Sequence, residues 1–175
     1  SYGNYLVELA SFDVDGDLDL YLSGRGNQPG EILWNDGSGN FTSSGQSLGT
    51  DDDLKHSASG DIDGDFDIDI VVQTSTGTRF WLNNGFGTFS QGNLIAPSAG
   101  FDMGDIDGDG DIDIAVVNNA SSSVVDSSRV YWNDGSGNFT LDIESLLTPG
   151  YDLELSDFDN DGKVDIIILS NAQGF

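Results

Sequence analysis

The stretch Asp105–Ile114 reads DIDGDGDIDI, and the chain repeats it. Related blocks stand at Ser11–Leu20 (SFDVDGDLDL), Asp61–Ile70 (DIDGDFDIDI) and Asp157–Ile166 (DFDNDGKVDI), so successive starts are 50, 44 and 52 residues apart. A second block trails the first three copies: ILWNDGSGNFT at Ile32–Thr42, FWLNNGFGTFS at Phe80–Ser90 and VYWNDGSGNFT at Val130–Thr140. Self-similarity at such a period is the mark of a repeat architecture. The chain therefore reads as one repeat domain over 1–175, with units near 1–50, 51–97 and 98–148 and an incomplete unit at 149–175.

Each unit reads as β-structure. Short apolar stretches (Tyr5–Leu9, Leu153–Leu155) precede the acidic block, and β-branched runs follow it at Asp19–Leu22, Ile68–Val72, Ile112–Val117 and Val164–Leu169. These runs lack polar alternation, which predicts strands covered on both faces. The trailing block predicts a third strand, a Gly-rich hairpin turn, and a fourth strand starting at Phe41, Phe89 or Phe139. No segment shows helical periodicity. The expected class is all-β, with β-propeller-type four-stranded blades in about three and a half repeats, as a partial propeller or part of a larger assembly. Trp34, Leu82 and Trp132 fall at equivalent positions, just before Asn35, Asn83 and Asn133, and are expected to fill the space between blades.

The chemistry lies in the spacing of the acidic block. Counting Asp105 as position 1, carboxylates stand at positions 1, 3, 5 and 9 (Asp105, Asp107, Asp109, Asp113), Gly110 is at 6, and position 7 offers the carbonyl of Asp111. Oxygen ligands at alternate positions, with glycine at the sharp bend, are what Ca²⁺ needs from one short segment. The first half matches an EF-hand loop; the second half departs from it, with a carboxylate at 9 and a strand in place of a helix. The fourth loop offers Asp157, Asp159, Asp161 and Asp165 with the Lys163 carbonyl. The second has Asp61, Asp63, Asp65 and Asp69 with the Asp67 carbonyl, but Phe66 stands where glycine is expected, which predicts a strained turn. In the first, Ser11 replaces the position-1 carboxylate beside Asp13, Asp15, Asp19 and the Asp17 carbonyl, which predicts weaker binding.

A solvated acidic turn is the competing reading. Two carboxylates ~5 Å apart repel by about 3 kcal/mol at an effective dielectric of ~20. The four loops gather 18 of the 31 acidic residues, so most of the formal net charge of −26 sits where a cation would neutralise it. Mg²⁺ suits such loops less well than Ca²⁺, because it keeps its waters and demands octahedral geometry.

These blocks resemble the FG-GAP or VCBS repeats of integrin α-chain propellers, of secreted bacterial proteins and of some fungal lectins. The D-x-D-x-D-G-x-x-D loop and the N-D-G-x-G-x-F hairpin both match. The resemblance implies that each loop joins the first two strands of a blade and holds one Ca²⁺, up to four in this chain. It also implies an extracellular recognition module for glycans or proteins. Complete propellers of this kind have about seven blades, roughly twice the number here.

Leu, Ile, Val and Phe make up about 27% of the 175 residues, enough to bury a core. Against 31 acidic residues stand 5 basic ones, and so acidic a surface repels phosphate backbones and anionic lipid heads. Nucleic acid and membrane insertion are therefore excluded as expectations. No cysteine is present, and the longest apolar stretches are strand-sized, far short of the ~18 residues a membrane span needs. The chain opens at Ser1 with no initiator Met and no signal-like apolar stretch, which fits a processed product or an excised segment. Sites that bind Ca²⁺ at roughly 10⁻⁴–10⁻³ M would stand empty in the cytosol, so a secreted or cell-surface location is expected. Sequons at Asn40, Asn119 and Asn138 permit N-glycosylation, although two of them belong to the repeated hairpin.

Catalysis is not expected. The single histidine, His56, and the scattered Lys55, Lys163, Arg25, Arg79 and Arg129 form no recognisable constellation, and aspartates are so abundant that a pair of them has no diagnostic value, most pairs being expected to bind metal. Three roles remain: a recognition module; a structural subunit of a filament or assembly that self-associates through the C-terminal edge strand Val164–Leu169; and an accessory propeller of a larger secreted enzyme.

Overall fold

The computed structural model describes residues 6–24, 28–49, 56–95, 97–118, 128–143 and 148–170. Strands β1 (Val7–Ala10), β2 (Asp19–Leu22), β3 (Glu31–Asn35) and β4 (Phe41–Ser43) form one antiparallel sheet in chain order. Strands β5 (His56–Gly60), β6 (Asp69–Thr74), β7 (Gly77–Asn83) and β8 (Phe89–Ile95) form a second. The third comprises β9 (Gly100–Gly104), β10 (Asp113–Val117), β11 (Arg129–Asn133) and β12 (Phe139–Leu141), and β13 (Asp152–Ser156) with β14 (Asp165–Leu169) makes a two-stranded fourth. The described residues contain no helix, and the all-β class with four-stranded blades stands as expected. Among the described residues no helix is long and apolar enough to cross a membrane. The expected fourth-strand starts at Phe41, Phe89 and Phe139 coincide with the observed ones.

The chain divides into two compact units, Ser1–Pro97 and Ser98–Phe175. In the first, the core lies between its two sheets: Phe12, Tyr21 and Ile32 from one side meet Ile70, Val72, Trp81 and Phe89 from the other. Phe12 and Phe89 pack edge to face with ring centroids 5.7 Å apart, the arrangement their quadrupoles prefer. Trp34 lies over Gly87, where any Cβ would collide with its ring, so it fills inter-blade space as expected. In the second unit Ala115, Val117 and Val130 meet Leu153, with Trp132, Leu155, Ile166 and Ile168 packed against them.

Full cover of the second strands holds for β6 and β10, every residue of which is buried. It fails for the other two. In β2, Asp19 and Tyr21 are buried while Leu20 and Leu22 are half-buried, and in β14 Ile167 and Leu169 are 50% and 66% exposed. The reason for β14 is alternation: Ile166 and Ile168 face the core of their unit, so Ile167 and Leu169 stand on the opposite face, which no sheet covers among the described residues.

Candidate metal centre

Each acidic block is the loop between the first and second strands of a sheet: β1–β2, β5–β6, β9–β10 and β13–β14. Antiparallel pairing sets its ends face to face, for Gly60 pairs with Asp69, Gly104 with Asp113 and Ser156 with Asp165. The eight residues between must turn through a tight circle, which draws the alternate carboxylates inward.

Backbone donors then fix the carboxylates one by one. At position 1, the Asp105 oxygens accept the N–H of Gly108 (2.8 Å) and of Gly110 (3.1 Å). Asp61 accepts in the same way from Gly64 and Phe66, and Asp157 from Asp161 and Gly162. At position 3, Asp13, Asp107 and Asp159 each accept the N–H two residues on. Position 5 repeats the pattern, as Asp15, Asp65, Asp109 and Asp161 accept from Asp17, Asp67, Asp111 and Lys163. These self-made turns leave the second oxygen of positions 3 and 5 directed elsewhere.

Three triads result. Oxygens of Asp61, Asp63 and Asp69, of Asp105, Asp107 and Asp113, and of Asp157, Asp159 and Asp165 lie within 4.8 Å of one another in each set. The structure thus gathers positions 1, 3 and 9, while Asp65, Asp109 and Asp161 at position 5 stay outside the triads. The first loop forms no such triad among the described residues: Ser11 Oγ donates to the Asp13 carbonyl instead (3.1 Å). All donors are hard oxygens, the set a divalent cation such as Ca²⁺ takes. The Oδ1 atom of Asp63 is buried with no hydrogen-bond partner, which is the condition of a ligand atom. Burial, then repulsion by Asp65, pushes the Asp63 carboxyl above its ordinary value. Positive charge in the triad would reverse that direction.

Position 9 holds a second role that the sequence reading missed. Both oxygens of Asp69 accept backbone N–H groups, from Ile62 at the start of the loop (2.8 Å) and from Asn83 at the end of β7 (2.7 Å). Asp19 does the same with Phe12 and Asn35, and Asp113 with Ile106 and Asn133. Asp165 accepts from Phe158 (3.0 Å) and has no third-strand donor among the described residues. These aspartates tie loop to third strand while retaining lone pairs for an ion. Burial raises the Asp69 carboxyl to about 7, against the opposing pull of those two N–H groups, and it raises Asp113 in the same sense. The signal was present in the sequence as the co-recurrence of the position-9 Asp with Asn35, Asn83 and Asn133. The Asn side chains close the tie, donating to the carbonyls of Leu18, Ile68 and Ile112. Asn83 also donates to the Phe12 carbonyl of the preceding loop (2.8 Å).

The side chains at position 7 join loop to hairpin. Gly37, Gly85 and Gly135 have φ near +73°, and a Cβ at any of them would collide with the carboxylate of Asp17, Asp67 or Asp111 respectively. Glycine is required there twice over, by handedness and by room. Asp36 and Asp134 brace the same turns; the side-chain amides of Asn40 and Asn138, then nearby backbone N–H groups, hold their carboxyls below the ordinary value. The sequon asparagines 40 and 138 are thus hairpin donors, whereas Asn119 lies outside the described residues. A cleft of about 380 Å³ runs between the third and fourth loops, lined by Asp105, Asp107, Gly162 and Lys163. His56 sits half-buried on β5, paired with Gln73 in register.

A family model described as FG-GAP-like repeat matches the chain three times, over residues 12–72, 61–116 and 105–168. Among solved structures the chain is similar to a lectin from Agrocybe aegerita, described for specific recognition of non-reducing terminal N-acetylglucosamine. The two share 25% identity at a TM-score of 0.65, over 93% of this chain and 46% of that one. The chain thus spans about half the length of that lectin. No curated protein matches it.

Proposed function

Since the chain belongs to the FG-GAP-like repeat family, we propose that it is an extracellular, calcium-stabilised module that recognises glycans or protein surfaces and catalyses no reaction. The observation that carries the reading is the recurrence of one aspartate triad at the same place in three successive repeats. Asp61, Asp63 and Asp69 would hold one ion, Asp105, Asp107 and Asp113 a second, and Asp157, Asp159 and Asp165 a third, with position-5 carboxylates and position-7 carbonyls completing each shell. The first loop, with Ser11 at position 1, would bind more weakly. A bound ion neutralises carboxylates that otherwise repel, and so favours the folded loop.

The secreted location follows if the loops bind with the affinity of extracellular modules, for such sites would fill at millimolar calcium and stand empty in the cytosol. The lectin likeness supports a glycan partner. Titrating Ca²⁺ into chelator-treated protein in a calorimeter tests the metal, with heat and a raised melting temperature expected; neither appearing would overturn it. An array of neutral glycans, read with calcium and with EDTA, tests recognition. Binding that EDTA weakens is expected.

A second reading is favoured by the exposed side chains of β14. Ile167 and Leu169 lie open on a two-stranded sheet, and Asp165 keeps an acceptor where Asp19, Asp69 and Asp113 meet a third strand. A strand added there, from further chain or from a second copy, would complete the blade. Light scattering at rising concentration separates a self-associating subunit from a monomer.

A further inference from the structure

The second repeat differs from its neighbours at two exposed points. Position 6 of its loop is Phe66, where the first and third loops have Gly16 and Gly110. The second of its hairpin pair is Phe86, in Gly85-Phe86-Gly87, where the other hairpins have Ser38 and Ser136. The two points belong to one surface, because the Asp67 carboxylate beside Phe66 rests against Gly85 beside Phe86. Phe66 is 92% exposed and Phe86 74% exposed. Neither ring contributes to the core, and Phe66 holds the left-handed backbone (φ +72°) that a bulky side chain disfavours. An aromatic ring kept in water on strained backbone is explained by a partner that covers it.

We propose that Phe66 and Phe86 form an aromatic platform for the apolar face of a neutral sugar ring, a reading that rests on the glycan-recognition function above. The surroundings select this occupant. Exposed Asn84 offers its Nδ2 hydrogens, since its Oδ1 is occupied by the N–H groups of Phe86 and Thr88, and the Asp67 carboxylate against Gly85 offers acceptor oxygens, since the calcium shell takes only the carbonyl of that residue. A donor and an acceptor beside two apolar rings match a pyranose, which presents hydroxyls around an apolar face. A net charge of −26 disfavours sulfated, sialylated or phosphorylated ligands.

The experiment compares the full chain with Phe66→Gly, Phe86→Ser and the double variant, on an array of neutral oligosaccharides that includes N-acetylglucosamine-terminated ones, all in calcium. Both substitutions restore the residue of a sister repeat, so the fold is retained; melting temperature and calcium titration check this. At least a tenfold loss of affinity in the double variant, with unchanged calcium binding, is expected. Equal glycan binding by parent and double variant would overturn this platform and leave the recognition function standing, whereas absence of binding by the parent would overturn both. Two further outcomes would also overturn it: ring-dependent dimerisation in light scattering, or ring-dependent binding to neutral phosphatidylcholine vesicles, each without a ring-dependent glycan signal.

Discussion

The second and third acidic loops, DIDGDFDIDI and DIDGDGDIDI, are identical except at position 6. Both backbones are left-handed at that position, φ +72° at Phe66 and +100° at Gly110. In both, the N–H of that residue donates to the position-1 carboxylate, at 3.0 Å in one and 3.1 Å in the other. The same turn therefore forms whether or not position 6 is glycine, and glycine merely relieves its strain. The first loop makes the converse point. With Ser11 at position 1 the backbone is still left-handed at Gly16 (φ +85°), yet no triad forms among the described residues, so the position-1 carboxylate is needed for the site rather than for the turn.

If carboxylates govern these loops, stripping their cation has the largest effect. A tenfold excess of Ca²⁺ over Kd contributes about 1.4 kcal/mol per site, so emptying three sites by EDTA is expected to lower the melting temperature on the order of 10 °C. Position 9 comes next. Asp69→Ala and Asp113→Ala each strand two backbone N–H groups, a loss of about 3 kcal/mol by chemical denaturation, while Asp165→Ala strands one and loses about 1. Equal losses at all three positions would show that the strand tie is unimportant.

The response to pH sharpens the same contrast. A carboxyl raised to about 7 in the fold from an ordinary 3.8 binds its proton more tightly folded than unfolded. Asp69 therefore stabilises the protein most below the ordinary value, and that contribution fades as pH rises through about 7. Chelator-treated protein is expected to melt lower at pH 8 than at pH 5. Saturating calcium, which requires ionised ligands, is expected to flatten or invert the trend. The smallest effect is the exchange at position 6: Phe66→Gly should gain and Gly110→Phe should lose about 1 kcal/mol. A loss in the first variant would show that the Phe66 ring makes a stabilising contact.

Much of this was legible in the sequence because its signals are local. Glycine-rich turns placed the fourth strands at Phe41, Phe89 and Phe139, and alternate aspartates located the loops. The tie between Asp69 and Asn83 was not legible, since it depends on how β6 and β7 lie side by side, and a carboxylate in an acidic run looks like one more ligand. Exposure on β14 was legible from the unfinished fourth unit, in which Val164–Leu169 reads as an edge strand, but an unbroken apolar run does not tell which of its residues face out, Ile167 and Leu169, and which pack inward, Ile166 and Ile168. The Phe66 strain, by contrast, followed from a single residue out of place and was found where expected.

The reach of Asn83 back to the Phe12 carbonyl has a consequence for synthesis. The first repeat is locked by a residue of the second, so its loop stays unfinished until the ribosome has released the hairpin that follows. Translation that pauses between Leu48 and Asn83 would hold the early strands unclosed, with the inward faces of Phe12 and Tyr21 wetted and within reach of a chaperone.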